Sequence, residues 1–154
     1  ASIFDVVHDR GGRTALFSAK NKFELYERTW NTDGAPDRVG KAQGSKKIDR
    51  VVLDTDNARL VRTATADLTR SARDFTFLHL SLPDRAGHEH GFMGQKYLSA
   101  VQETDRLLGT VLGTISARPS LEAHTLVVLT ADHGGDGADH SNRKKLQNYR
   151  IPFM

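Results

Sequence analysis

The sequence contains no cysteine. That excludes disulfides and thiolate ligands, so any metal must be held by aspartate, glutamate and histidine. No apolar run approaches the ~20 residues that span a bilayer, so no membrane span is expected. Neither charge sign dominates: 22 Lys and Arg stand against 19 Asp and Glu, a net charge of +3, and the pI is near 9.3. The charges are scattered, and Lys46-Lys47 and Arg143-Lys144-Lys145 are the only cationic runs. Runs this short read as solvated loop, not as a nucleic-acid footprint, and no nucleic-acid-binding signal is present. Internal repeats and low-complexity tracts are also missing. What is there is a 154-residue chain, 38% hydrophobic and 27% charged. It is long enough for one domain with a core and too short for two ordinary ones.

Ser2-x-x-Asp5 approximates a capping box for a short helix that stops at Gly11-Gly12. Thr14 to Ser18 follows as a strand, and Asn21 can cap a helix through Phe23, Leu25 and Tyr26. Asn31 to Lys47 is nearly free of apolar residues and reads as a long irregular surface loop. Ile48 to Leu53 fits strand and loop equally. Thr55 or Asp56 can cap a helix whose Leu60, Ala64, Leu68 and Ala72 form a stripe. Phe75 to Leu82 reads as a strand covered on both faces. Tyr97, Val101, Leu108, Val111, Leu112 and Ile115 mark a long amphipathic helix, with Gln102, Glu103 and Arg106 on its polar face. Pro119 and Ser120 break the chain before a last strand, Thr125 to Thr130. Alternating helices and strands predict an α/β fold with a mainly parallel sheet flanked by helices. The chain is expected to be a fragment of a larger protein, because Ile151-Pro152-Phe153-Met154 reads as the opening of a buried strand and native termini are usually polar.

Two stretches share one design. Asp84-x-x-Gly87-His88 and Asp132-His133-Gly134-Gly135 each follow an apolar run, and each carries one carboxylate and one imidazole. Pro83 is read as ending its strand and Gly87 as turning the loop. The glycines after His133 permit a close approach of backbone and ligand. In open parallel sheets, ligands bind outside the carboxyl ends of the strands. Zinc accepts this donor set, and two ions can clamp the attacking and leaving oxygens of a phosphoryl transfer. Asp139-His140 offers a further pair. His8, His79, His90 and His124 fall outside the pattern: His79 reads as a hydrogen-bonded strand residue and the others as surface.

The order Asp84-x-x-Gly-His88-x-x-Gly91, a helix bearing Tyr97 and Asp105, and then Thr130-Ala131-Asp132-His133-Gly134 resembles the alkaline phosphatase superfamily. Within it, the sequence is most similar to the type I phosphodiesterase/nucleotide pyrophosphatase group. Ile3-Phe4-Asp5-Val6-Val7, Gly12-Arg13-Thr14-Ala15-Leu16-Phe17 and Asn148-Tyr149-Arg150-Ile151-Pro152-Phe153 also look like that group. The resemblance covers essentially the whole chain, as a portion of a single α/β catalytic domain. It implies a hydrolase of phosphate esters, phosphodiester or pyrophosphate bonds above all, with two divalent metal ions, zinc by analogy, and a small phosphate ester or nucleotide as substrate. Asp84 and His88 would bind the metal that activates the hydrolytic water, with His140 as the candidate to complete that site. Asp132 and His133 would bind the metal that activates the nucleophile. The family's Ser/Thr nucleophile and a further metal-binding Asp belong to an N-terminal part of the domain that this sequence does not match, so the chain alone is expected to be inactive. An extracytoplasmic location is what the family usually implies. Two alternatives remain open: another superfamily chemistry (phosphomonoesterase, phosphonate hydrolase, sulfatase-like or phosphomutase), and a non-catalytic α/β binding domain.

Overall fold

Strand β1, Thr14–Ser18, is buried along its whole length. A computed structural model describes residues 2–26, 47–71 and 73–154. It divides into two compact units, Ala1–Leu80 and Ser81–Met154. In the first unit β1 lies between β2, Arg50–Leu53, and β3, Phe75–His79, and both pairings are parallel. Leu16 stands opposite Val51 on one side and Phe77 on the other.

Helices cover both faces of this sheet. Helix α1, Ile3–His8, is opened by the predicted capping box, with the Asp5 carboxylate accepting from Ser2 N at 2.6 Å. Its Phe4 packs with Leu16 and Ile48. Helix α2, Asn57–Arg70, is capped by Asp56, whose side chain accepts from Arg59 N at 3.0 Å. Its Leu60 and Ala64 pack on Ala15, Phe17 and Ala19. Successive β1 side chains thus enter opposite cores, which explains its unbroken apolar run.

The buried face of α2 differs from the expected stripe. Val61 and Asp67 are buried with Leu60 and Ala64, while Leu68 is only half-buried; Ala72 lies outside the described residues. Asp67 occupies that face because Arg73 grips it with two hydrogen bonds, at 2.9 and 3.0 Å. Around Asn21, the cap position belongs to Lys20, and Asn21–Phe23 is a single 3-10 turn with residues 24–26 helical after it. The segment expected as an irregular loop lies outside the described residues up to position 46. Its last member is no surface residue: Lys47 is 1% exposed, and its ammonium sits 2.9 Å from Asp9 and 3.4 Å from Asp5. A lysine that deep must be paired. His8 is half-buried beside Asp9, at 3.5 Å, where a surface position was expected. His79 meets the Ser18 hydroxyl at 3.3 Å, as a hydrogen-bonded strand residue should.

The second unit departs further from the sequence reading. Leu82–His90 is a helix, α3, where a strand end and a loop were expected. Pro83 lies in its first turn, where a missing N–H costs nothing and the fixed φ suits a helix, and Asp84 favours the positive end of the helix dipole. Helix α4, Gln95–Ser116, is as long as expected, but only Leu107 and Ile115 are buried; Val101 and Leu112 are exposed. It packs against α3 and against the short helix α5, Pro119–Glu122, which begins at the proline expected as a breaker. Residues 125–130 form no strand. They make one antiparallel bridge, Thr130 with Phe153, and Leu126 is 88% exposed. Within this unit no neighbouring strand supplies a ladder, and β propensity alone does not make one. Among the described residues, no helix is long and apolar enough to cross a membrane.

Candidate metal centre

The helix at 82–90 changes how the first motif works. At positions i and i+4, Asp84 and His88 lie on one face of α3, one turn apart, with His88 Nε2 3.4 Å from Asp84 Oδ1. The second stretch brings His133 Nε2 to 3.6 Å from the same oxygen, and the turn after it brings His140 Nε2 to 4.0 Å. Three imidazoles from three segments therefore converge on one carboxylate oxygen. The rings of His133 and His140 stack at 3.6 Å, and those of His88 and His140 meet edge to face at 5.0 Å. Asp132 stands at the rim, 64% exposed, with its Oδ2 3.6 Å from His133 Nε2.

Backbone carbonyls set the ring orientations. His88 Nδ1 donates to Ala138 O at 3.0 Å, and His133 Nδ1 donates to Gly134 O at 2.8 Å. With Nδ1–H committed, each Nε2 keeps its lone pair and points inward, as metal-bound histidines require. Two ligands about 2.0–2.2 Å from one tetrahedral ion lie roughly 3.3–3.6 Å apart. The Asp84–His88 and Asp84–His133 separations match that span and exceed ordinary hydrogen-bond lengths. Asp84, His88 and His140 can each offer a ligand atom within 4.8 Å of the others. The donor set, carboxylate oxygen and imidazole nitrogen with no thiolate, fits a divalent ion such as zinc. Asp139 is otherwise engaged. It accepts from the Ser141 amide and hydroxyl at 2.8 and 3.1 Å, which holds its carboxyl below the usual range.

Phe92 is the member that sequence reasoning missed. Its ring fills the space beside Gly87 and Gly135: a Cβ on Gly87 would come within 2.5 Å of the ring, and one on Gly135 would collide with the same ring. Its amide donates to Gly137 O at 2.6 Å. Phe92 thus wedges α3 against the glycine turn and sets where His88 and His140 meet. Gly87 serves this packing, not a tight loop. Gly134 likewise makes room for the backbone at Gln147 and donates to Asn148 O at 3.0 Å, where a ligand was expected. The glycine-rich run was the available signal, but nothing in it pointed to Phe92.

Alanine in mid-helix normally stabilises by about 1 kcal/mol over glycine. Gly87→Ala is expected to do the reverse and destabilise by about 1–3 kcal/mol, because Phe92 must move. In denaturant titrations, Gly87→Ala/Phe92→Ala should be less destabilised than the sum of the single changes; strict additivity would mean the ring is not the obstacle.

His140 is pushed below its ordinary 6.5, by burial first and then by the neighbouring His133 and His88, against the opposing pull of Asp84 and Asp132. A depressed histidine adds stability above its ordinary value, and that stability is lost as pH falls through the lower one. The melting temperature of the metal-free protein is therefore expected to drop as pH falls below the ordinary value of 6.5, and His140→Gln should shallow that drop. An identical profile in the variant would show that His140 is not the group responsible.

The first unit is a parallel α/β layer and the second carries an Asp/His cluster, and comparison with known proteins gives the family. Residues 13–149 match the family described as type I phosphodiesterase / nucleotide pyrophosphatase. The chain belongs to this family of phosphodiester and nucleotide pyrophosphate hydrolases. It is 31% identical over 84 residues to venom phosphodiesterase 2 of Crotalus adamanteus and to venom phosphodiesterase CdcPDE of Crotalus durissus collilineatus. It is 29% identical over the same length to a venom phosphodiesterase of Naja atra. Each match covers 54% of this chain and 10% of the relative.

Proposed function

We propose that the chain forms part of a single catalytic domain of a metal-dependent phosphodiesterase or nucleotide pyrophosphatase acting on a small phosphate ester or nucleotide. Asp84, His88 and His140 would hold one divalent ion, zinc by donor chemistry. Asp132 and His133 would hold a second, with His133 close enough to Asp84 to link the two. When bound, the ions would supply Lewis-acid stabilisation of the charge on the phosphoryl oxygens. The chain's own part is to orient. Ala138 O and Gly134 O fix the two ring tautomers, Asp84 carries the central negative charge, and Phe92 holds the two segments together. The Ser/Thr nucleophile and a further metal-binding Asp would come from outside these residues.

The observation that carries this reading is the convergence of three Nε2 atoms on Asp84 Oδ1. The test compares hydrolysis of bis-nitrophenyl and mono-nitrophenyl phosphate by the full-length protein supplied with zinc. Preference for the diester, lost on chelation and inactive in this chain alone, is expected. Preference for the monoester would overturn the diesterase assignment, and chelator-resistant turnover would overturn the metal-dependent one.

A further inference from the structure

Arginines dispersed along the sequence meet on one face of the first unit. Arg59, Arg62 and Arg70 of α2 and Arg50 of β2 line a groove of about 260 Å³, with Thr63, Ala66 and Asp67 between them. Four of the lining residues are thus arginines and one is a carboxylate, Asp67, which is already taken. Arg73 holds Asp67 with two hydrogen bonds, and Arg50 Nε lies 3.4 Å from it. Asp67 thus anchors Arg50, whose side chain stays 44% exposed. Arg59 is tethered at the other end by two hydrogen bonds to Asp54, at 2.5 and 2.7 Å. Arg62 and Arg70 are exposed and make no ion pair among the described residues.

Cations gathered this closely repel one another unless water or an anion screens them. The guanidinium fork matches phosphate oxygens in pairs, which an ammonium does not. No aromatic side chain lines the groove, so a base has no stacking platform there, and recognition must rest on charge. The volume is below that of pockets for drug-sized ligands, which suits a short phosphate chain.

We propose that this groove is a binding site for a small, multiply charged phosphate-bearing anion, either a free oligophosphate or the phosphate tail of a nucleotide. Arg62 and Arg70 supply the open donors, and Arg50 and Arg59 are held beside them by Asp67 and Asp54. The site is built wholly from the first unit and does not depend on the metal centre.

The test is calorimetric titration of the whole chain with inorganic tripolyphosphate and with ATP, at low salt and with chelator present. The panel is wild type, Arg62→Gln/Arg70→Gln, Arg62→Lys/Arg70→Lys and Asp84→Asn. Tripolyphosphate should bind wild type and Asp84→Asn alike, about tenfold or more weaker to the glutamine variant, and at intermediate strength to the lysine variant. Equal affinity for ATP would support recognition through the phosphate chain alone. A preference for ATP that disappears in the glutamine variant would support a nucleotide source. Absence of binding to wild type, unchanged affinity in the glutamine variant, or loss in Asp84→Asn would overturn the site. Arginine-dependent binding of a short oligonucleotide without binding of tripolyphosphate would overturn the assignment to a small anion.

Discussion

Asp84→Ala is expected to strip the chain of bound zinc, while Asp132→Ala is expected to weaken binding and leave part of it. The two aspartates looked equivalent in sequence, each paired with a histidine after an apolar run. In space they are not. Asp84 Oδ1 is buried and ringed by three imidazole nitrogens; Asp132 lies 3.6 Å from His133 Nε2 and is mostly exposed. Removing Asp84 takes the negative charge from the centre of the cluster and leaves three imidazoles facing each other. Losing an outer-shell partner of a metal ligand typically costs 10–100-fold in affinity, so losing the central carboxylate should cost at least about 100-fold. Zinc per chain, measured by elemental mass spectrometry after dialysis against a weak chelator, reads this directly. Asp84→Asn keeps the shape and removes the charge, and it should fall with Asp84→Ala if charge is what matters. Equal losses at 84 and 132 would contradict the central role of Asp84. A wild-type chain that takes up no zinc at saturating supply would overturn the cluster as a metal centre.

What the sequence revealed, and what it hid, follows from the range of the interactions involved. The capping box at Ser2 and Asp5, the Asp56 cap and the β1 run are local patterns, and each appears where expected. The parallel sheet was legible because alternating elements leave few other topologies. The Asp84 motif was assigned to a loop because Pro83 was taken as the end of a strand, and a proline in the first turn of a helix looks the same from the sequence. The depth of Lys47 and Asp67 was hidden, since each is buried by a partner distant in sequence or beyond the helix end. The arginine groove was hidden for the same reason: Arg50 on a strand and Arg59, Arg62 and Arg70 along a helix form no run. Donor chemistry and family likeness named Asp84, His88, Asp132, His133 and His140 as metal-site candidates in two groups. The approach of His133 to Asp84, which the resemblance placed at the other ion, was hidden because it joins two segments distant in sequence.

Phe17→Ala is expected to destabilise the fold by about 3–5 kcal/mol, which equals or exceeds half the stability of many domains. Phe17 is fully buried in β1, between Val52 and Leu78 in the neighbouring strands and under Leu60 and Ala64 of α2. The cavity would open against elements that the sheet holds in place on both sides, so little of it can collapse. Leu126→Ser is the informative contrast. The run Thr125 to Leu129 is as apolar as β1 and reads in sequence as an equally buried strand, yet Leu126 is 88% exposed. Its replacement should change stability by no more than about 0.5 kcal/mol. Urea titrations of both variants would separate burial from mere hydrophobicity. A large loss at Leu126 would show that the segment is covered in solution, and a small loss at Phe17 would show that the three-stranded sheet is not the stabilising core of its unit.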